Sequence, residues 1–157
     1  MHQFITQKLS EYQPRTLIAD LQTPAAVLVA ITDDKHNPEV ILTRRAQHLP
    51  THKGQIAFPG GKADPDDADL VATALREAYE EVALKPELVA VVGKMGQVLS
   101  RQGFVVTPVI GVVPAAVVNQ LMPNLGELDR IFTVPLRFFV DTKPQMDALP
   151  LAEGVKQ

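Results

Sequence analysis

Four residues within one short stretch carry the densest chemistry in the chain: Arg76, Glu77, Glu80 and Glu81. On an α-helix the spacing i, i+3, i+4 puts the three carboxylates on one face. Like charges so placed destabilise a bare helix by roughly a few tenths of a kcal/mol per pair. A hard divalent cation reverses that cost, because Mg²⁺ and Mn²⁺ prefer carboxylate oxygens and bridge protein to phosphate. Arg76 can neutralise part of the cluster and fix a carboxylate rotamer through a forked hydrogen bond. The competing reading is an exposed acidic helix whose glutamates serve solubility. Just upstream, Gly60-Gly61 reads as a turn that lets backbone come close to a ligand or metal.

The charges around this cluster are sharply divided. Residues 41–63 hold Arg44, Arg45, Lys53 and Lys62 and no acid, a local charge of +4. Residues 64–81 hold Asp64, Asp66, Asp67, Asp69, Glu77, Glu80 and Glu81 against Arg76, a local charge of −6. Arginine binds phosphate bidentately, so Arg45, and with it Arg44 and Lys53, are candidate phosphate contacts; each also reads as a plain surface cation. The net charge of the whole chain is −3, which gives no basic footprint for binding a nucleic acid duplex. Cysteine is absent, which excludes disulfides, thiolate metal sites and a cysteine nucleophile.

The elements that must position these residues follow from periodicity and punctuation. With 46% hydrophobic and 21% charged residues in 157, one globular domain spanning 1–157 is expected. Phe4, Ile5, Leu9 and Tyr12 predict a short N-terminal helix over 3–13, closed by Pro14. Ala25–Thr32 reads as a buried strand and Glu39–Arg44 as its hairpin partner. A short strand is expected at Gln55–Phe58. Val71, Leu75, Ala78 and Val82 define the apolar face of a helix over 68–82, approached by four aspartates and ended by Lys85-Pro86. Strands follow at Leu88–Gly93, Gly96–Leu99 and Val105–Val113; residues 127–140 mix a helical turn with the run IFTVPLRFFV. Strands on both sides of one strong helix, without regular alternation, predict α+β with a mixed sheet. The apolar runs are far below the roughly 20 residues that span a bilayer, and the N-terminus lacks a secretory pattern, so a soluble cytoplasmic protein with no membrane partner is expected.

The segment Gly60–Leu84, GGKADPDDADLVATALREAYEEVAL, resembles the Nudix box, and its REAYEE core (Arg76–Glu81) matches the REUXEE element in full. Within it Asp67 stands where the box has Glu, the gap to Arg76 is one residue longer, and Ala83 replaces the glycine near the end. Upstream, ILTRRAQHLPTHKGQIAFPGG (Ile41–Gly61) is similar to the extra motif of the coenzyme A pyrophosphatase branch; Leu42, Thr43, Arg45, Ala46, Gly54, Phe58, Pro59, Gly60 and Gly61 hold their places, while Pro50 stands where the branch has an arginine. GFVVTPVIG (Gly103–Gly111) and GELDRIFTVPL (Gly126–Leu136) look like the same branch, and the resemblance spans roughly residues 24–140.

This resemblance implies a Nudix fold, an α/β/α sandwich with a mixed sheet and a loop–helix–loop catalytic motif. Branch members continue beyond the VPL segment, so a shortened C-terminal part is expected here. The resemblance further implies a metal-dependent pyrophosphohydrolase cleaving coenzyme A or acyl-CoA to 3′,5′-ADP and (acyl-)4′-phosphopantetheine. Glu77 and Glu81 would hold Mg²⁺ or Mn²⁺, with Glu80 a third ligand or a base. Arg76 would orient a glutamate. Glu127 is a rival base, or else an ordinary helix-start acid. Other nucleotide substrates (ADP-ribose, a dinucleoside polyphosphate, an oxidised nucleoside triphosphate) stay open, as do a non-catalytic binding module and the oligomeric state, a homodimer included.

Overall fold

The computed structural model describes residues 1–10 and 23–141. In chain order its elements are α1 (His2–Ser10), β1 (Thr23–Thr32), β2 (Glu39–Arg45), β3 (Ile56–Ala57), β4 (Gly60–Lys62), α2 (Leu70–Val82), β5 (Ala90–Lys94), β6 (Val98–Leu99), β7 (Phe104–Val113), β8 (Leu128–Pro135) and α3 (Leu136–Asp141). Short 3₁₀ turns at Pro86–Leu88 and Ala115–Gln120 complete them. The expected end of the first helix at 11–13, Pro14, and the chain beyond 141 lie outside the described residues.

β1 runs parallel to β7 over its whole length, and every other pairing is antiparallel. The sheet is therefore mixed. The central pair is largely buried on both faces, which is why Ala25–Ile31 of β1 reads as a continuous apolar run, and β7 as a mostly apolar one interrupted by Thr107, Pro108 and Gly111, rather than as alternating strands. On one face Ala26, Leu28, Ala30, Val109 and Val113 pack against Ala74, Ala78 and Val82 of α2. On the other, Ile31, Val40 and Ile110 receive Ile5 and Leu9 of α1 and Leu136 of α3. Helices thus cover both sides, in an α/β/α arrangement. Each fully buried side chain of this kind, such as Leu28, contributes roughly 1.5–3 kcal/mol.

The site owes its shape to a split in the sheet. β1 and β2 pair antiparallel as expected, but only Ile31 and Val40 stand in register, and beyond them the strands part. β2 aligns instead with β8, and the first half of β1 takes β4. The chain from β3 to β4 crosses the gap: Ala57 pairs with Thr43 of β2, and the Pro59 carbonyl accepts the Leu28 N–H of β1 at 2.8 Å. Gly60-Gly61, expected as a turn, is the strand β4. A methyl group at Gly60 would overlap the Ala26 carbonyl, so only glycine lets β4 lie against β1.

α2 begins at Leu70, two residues later than its periodicity suggests. Asp69 caps it, accepting the Ala72 N–H at 2.8 Å. It ends before Lys85-Pro86: Ala83 adopts a left-handed conformation (φ 60°, ψ 28°), and its N–H closes on the Tyr79 carbonyl at 3.0 Å. Residues 128–135 form a strand where a helical turn was expected to begin, because they pair along the full length of β2. Among the described residues no helix is long and apolar enough to cross a membrane.

Candidate active site

β4 lies directly under α2, and the two glutamates of α2 that point inward meet its glycines. Glu81 is 8% exposed, and its Oε1 accepts the Gly60 N–H at 3.2 Å. Burial pushes its carboxyl up to about 8, the neighbouring Glu77 and Glu127 add to the rise, and the Gly60 N–H and Arg45 oppose it. Glu77 stands against Gly61, where a methyl group would sit 2.6–2.8 Å from its carboxylate. Its pKa is also raised, first by burial, with the Arg76 hydrogen bond working against the rise. Glu80 shares the helix face in sequence but turns outward, with 53% of its side chain exposed.

Arg76 ties this cluster together. Its Nε and Nη2 donate to the two oxygens of Asp67 at 2.9 and 3.0 Å, its Nη1 to Glu77 at 2.9 Å, and its Nη2 also to the Lys62 carbonyl at 3.0 Å. Glu80 lies within 3.3 Å of Nη1 at the rim. Asp67 in turn accepts the Thr73 hydroxyl and the Asp64 N–H, both at 2.8 Å. Its carboxyl is held well below the usual carboxylate range, chiefly by Arg76. Of the four aspartates before the helix, then, Asp69 caps and Asp67 anchors the arginine.

The parted strands leave a groove of about 140 Å³ beside Glu81, lined also by Thr43, Arg45, Gln55 and Phe58. Strand parity decides which cations face it. Ile41 packs on the α2 side of the sheet and Val40 on the α1 side, so Thr43 and Arg45 follow Ile41. Arg44 is ion-paired with Asp129 at 2.8 Å and does not line the groove. Arg45 is steadied by a bond from its Nε to the Thr51 carbonyl at 3.0 Å. Lys53 is exposed on the loop that follows. Glu127 is exposed in the turn before β8, close enough to raise both Glu77 and Glu81, and no helix starts there. Thr43, named in the sequence only as a motif position, and Gln55, named only as the start of a strand, were not read as site residues; Thr43 was within reach, being two residues from Arg45 on one strand.

Among the described residues no three acidic or histidine side chains converge as a ready-made cation cage. The donor chemistry nevertheless fits a hard divalent ion. Burial and carboxylate neighbours disfavour ionisation of the two inward carboxyl groups, and a bound cation would favour their ionised, metal-holding forms.

A family model described as NUDIX domain matches residues 22–139. The chain belongs to the Nudix family. It is 50% identical over 112 residues to the "Uncharacterized Nudix hydrolase NudL" of Yersinia pestis (strain Pestoides F), a match covering 71% of this chain and 55% of that protein. The NudL of Yersinia pseudotuberculosis serotype O:1b (strain IP 31758) matches equally. The chain thus spans about half the length of the curated relatives it matches. Among solved structures, the Caenorhabditis elegans Ap4A hydrolase binary complex superposes with a TM-score of 0.61 at 18% identity, covering 74% of this chain and 83% of that one. The NUDIX domain of Shewanella oneidensis NrtR, complexed with ADP ribose, gives 0.58 at 22% identity, covering 94% and 93%. At these identities the likeness is one of fold: the Nudix fold, with a mixed sheet between helices.

Proposed function

We propose that this Nudix chain is a metal-dependent pyrophosphohydrolase of the single domain 1–157, acting on a nucleoside diphosphate derivative, with coenzyme A or an acyl-CoA as substrate. The observation that carries the reading is the groove in which Arg45 and Glu81 face each other. A fixed cation suits a phosphate, and a buried carboxylate pair suits the ion that bridges protein to phosphate. The hydrolase names of the Yersinia relatives support hydrolysis. The branch motif supports the choice of coenzyme A, since its residues build β2 and the strand crossing that wall the groove.

Glu77 and Glu81 would hold Mg²⁺ or Mn²⁺, with Glu80 at the rim. What such an ion supplies when bound is polarisation of a phosphoryl oxygen and a lowered pKa for water. Arg76 keeps the Glu77 carboxylate oriented and, through Asp67 and the Lys62 carbonyl, fixes α2 to the loop beneath it. Arg45 holds phosphate charge across the groove, and Lys53 adds long-range attraction from the loop. The guanidinium of Arg44 is committed to Asp129, which leaves it a minor part. Glu127, exposed in the turn before β8, would take a proton from attacking water, with Glu80 the rival for that role. Water adds to one phosphorus of the anhydride, the P–O–P bond breaks, and the proton leaves through Glu127. The products are 3′,5′-ADP and 4′-phosphopantetheine.

The test is a panel of coenzyme A, ADP-ribose, a dinucleoside polyphosphate and a nucleoside triphosphate, with Mg²⁺ and with Mn²⁺, analysed for products. Release of 3′,5′-ADP from coenzyme A at the highest rate is the expected result. Faster cleavage of ADP-ribose, the ligand of the Shewanella domain, would move the substrate elsewhere. No turnover of any compound would leave a binding module.

A further inference from the structure

We infer that Asn124 is a positioning residue that sets Glu127 against Glu81: its main chain ties the proton-accepting acid to the metal-holding helix, and its side chain braces the turn between them. The inference rests on the proposed reading of Glu127 as that acid. An α-helix ends with carbonyls that lack helical partners. At the end of α2 the turn from 121 to 127 supplies donors: the Met122 N–H reaches the Val82 carbonyl at 3.0 Å, and the Asn124 N–H reaches the carbonyl of Glu81 itself at 2.8 Å.

From that anchor Asn124 organises the rest of the turn. Its side-chain Oδ1 accepts the Gly126 N–H at 3.1 Å. Its carbonyl accepts the N–H groups of Glu127 at 2.9 Å and Leu128 at 2.8 Å. The turn is locked on its far side as well, because the Glu127 carbonyl accepts the Ala46 N–H, 2.9 Å away, one residue past Arg45. Glu127 therefore hangs between two fixed points, the Glu81 backbone and Ala46 just past the end of β2. An aspartate at 124 keeps the Oδ acceptor of such a turn, and an alanine removes it.

A misplacement of about 1 Å can cost roughly a hundredfold in rate, so loosening this turn should show in kcat. The experiment measures kcat and KM with Mn²⁺ on the best substrate of the panel for wild type, Asn124→Ala, Asn124→Asp, Glu127→Gln and the double variant Asn124→Ala/Glu127→Gln. Glu127→Gln should lose about a hundredfold in kcat. Asn124→Ala should lose roughly tenfold in kcat with KM little moved, Asn124→Asp should recover most of it, and the double variant should be no slower than Glu127→Gln alone. In the metal-free protein, amide exchange at Gly126 should quicken in Asn124→Ala and not in Asn124→Asp. Wild-type kcat in Asn124→Ala, or losses that multiply in the double variant, would overturn the inference while leaving the hydrolase reading intact. A wild type that cleaves nothing would remove that reading, and the inference with it.

Discussion

Arg76 grips Asp67 with two parallel hydrogen bonds, at 2.9 and 3.0 Å, and thereby joins the middle of α2 to the loop that leads into it. The same guanidinium reaches Glu77, so the orientation of an inward carboxylate depends on an aspartate that never enters the groove. Asp67→Asn keeps the shape and removes the charge. Because Arg76 holds the Asp67 carboxyl below its ordinary range, its contribution to stability is full above about pH 4 and fades as pH falls through the depressed value. Thermal melts should therefore find the variant less stable than wild type near neutrality, with the gap closing in strong acid. A gap of constant size across pH would assign the loss to packing instead.

Glu81 works in the opposite sense. Its folded pKa of about 8 exceeds the ordinary 4.5, so between these values the folded chain holds a proton that the unfolded chain has lost. Stability of the metal-free protein should fall as pH rises through that window, by up to about 1.4 kcal/mol per pH unit. Glu81→Gln should flatten this slope and be the more stable protein at the alkaline end, while losing turnover. Denaturant unfolding in chelator at several pH values measures both. Adding Mg²⁺ or Mn²⁺ near pH 8 should raise the melting temperature of wild type and leave Glu81→Gln unmoved. An active Glu81→Gln enzyme would sink the metal assignment.

The left-handed cap at Ala83 makes a third forecast. A non-glycine residue in this conformation costs about 1–2 kcal/mol, against which glycine loses about 0.4–1 kcal/mol through its freer unfolded state. Ala83 is exposed and gives up no core contact on mutation. Ala83→Gly should thus stabilise the protein by roughly 0.5–1 kcal/mol, read as a rise of about 2 °C in Tm. An unchanged or lowered Tm would mean that the cap is not strained.

These three residues also mark how far the sequence could be read. α2 and its apolar face were legible because a 3.6-residue period runs unbroken from Val71 to Val82. The long strands were legible because burial on both faces demands continuous apolar runs. What escaped were features set by distant parts of the chain. Nothing near Gly60-Gly61 announces a strand, since its pairing is with Ala25–Val27. Nothing near Asp67 says that it serves Arg76 rather than the helix dipole. The equivalence of Glu77, Glu80 and Glu81 on one face dissolved once β4 took two of them and left Glu80 to solvent. Arg44 and Arg45, alike in sequence, were separated by strand parity.

That separation gives the last test. Arg45 lines the groove with Glu81, and the bond from its Nε to the Thr51 carbonyl leaves the terminal nitrogens for a phosphate. Losing a charge-assisted contact of this kind costs on the order of 1.5–3 kcal/mol, or roughly tenfold to a hundredfold in kcat/KM. If the contact is equal in ground and transition states, Arg45→Ala should raise KM by that factor and leave kcat nearly unchanged. Arg45→Lys should recover the charge but not the fork, and so only part of the loss. A second effect runs alongside: Arg45 lowers the Glu81 pKa, so its removal should weaken metal binding near neutral pH, and saturating Mn²⁺ should remove that component. Arg44→Ala breaks the pair with Asp129 and should leave KM within about twofold of wild type, as an exposed ion pair is worth about 0–1 kcal/mol. A kcat loss in Arg45→Ala at unchanged KM would place the guanidinium on the reacting phosphoryl group. Equal KM effects from both arginines would mean that the basic stretch acts as a diffuse field rather than through one contact.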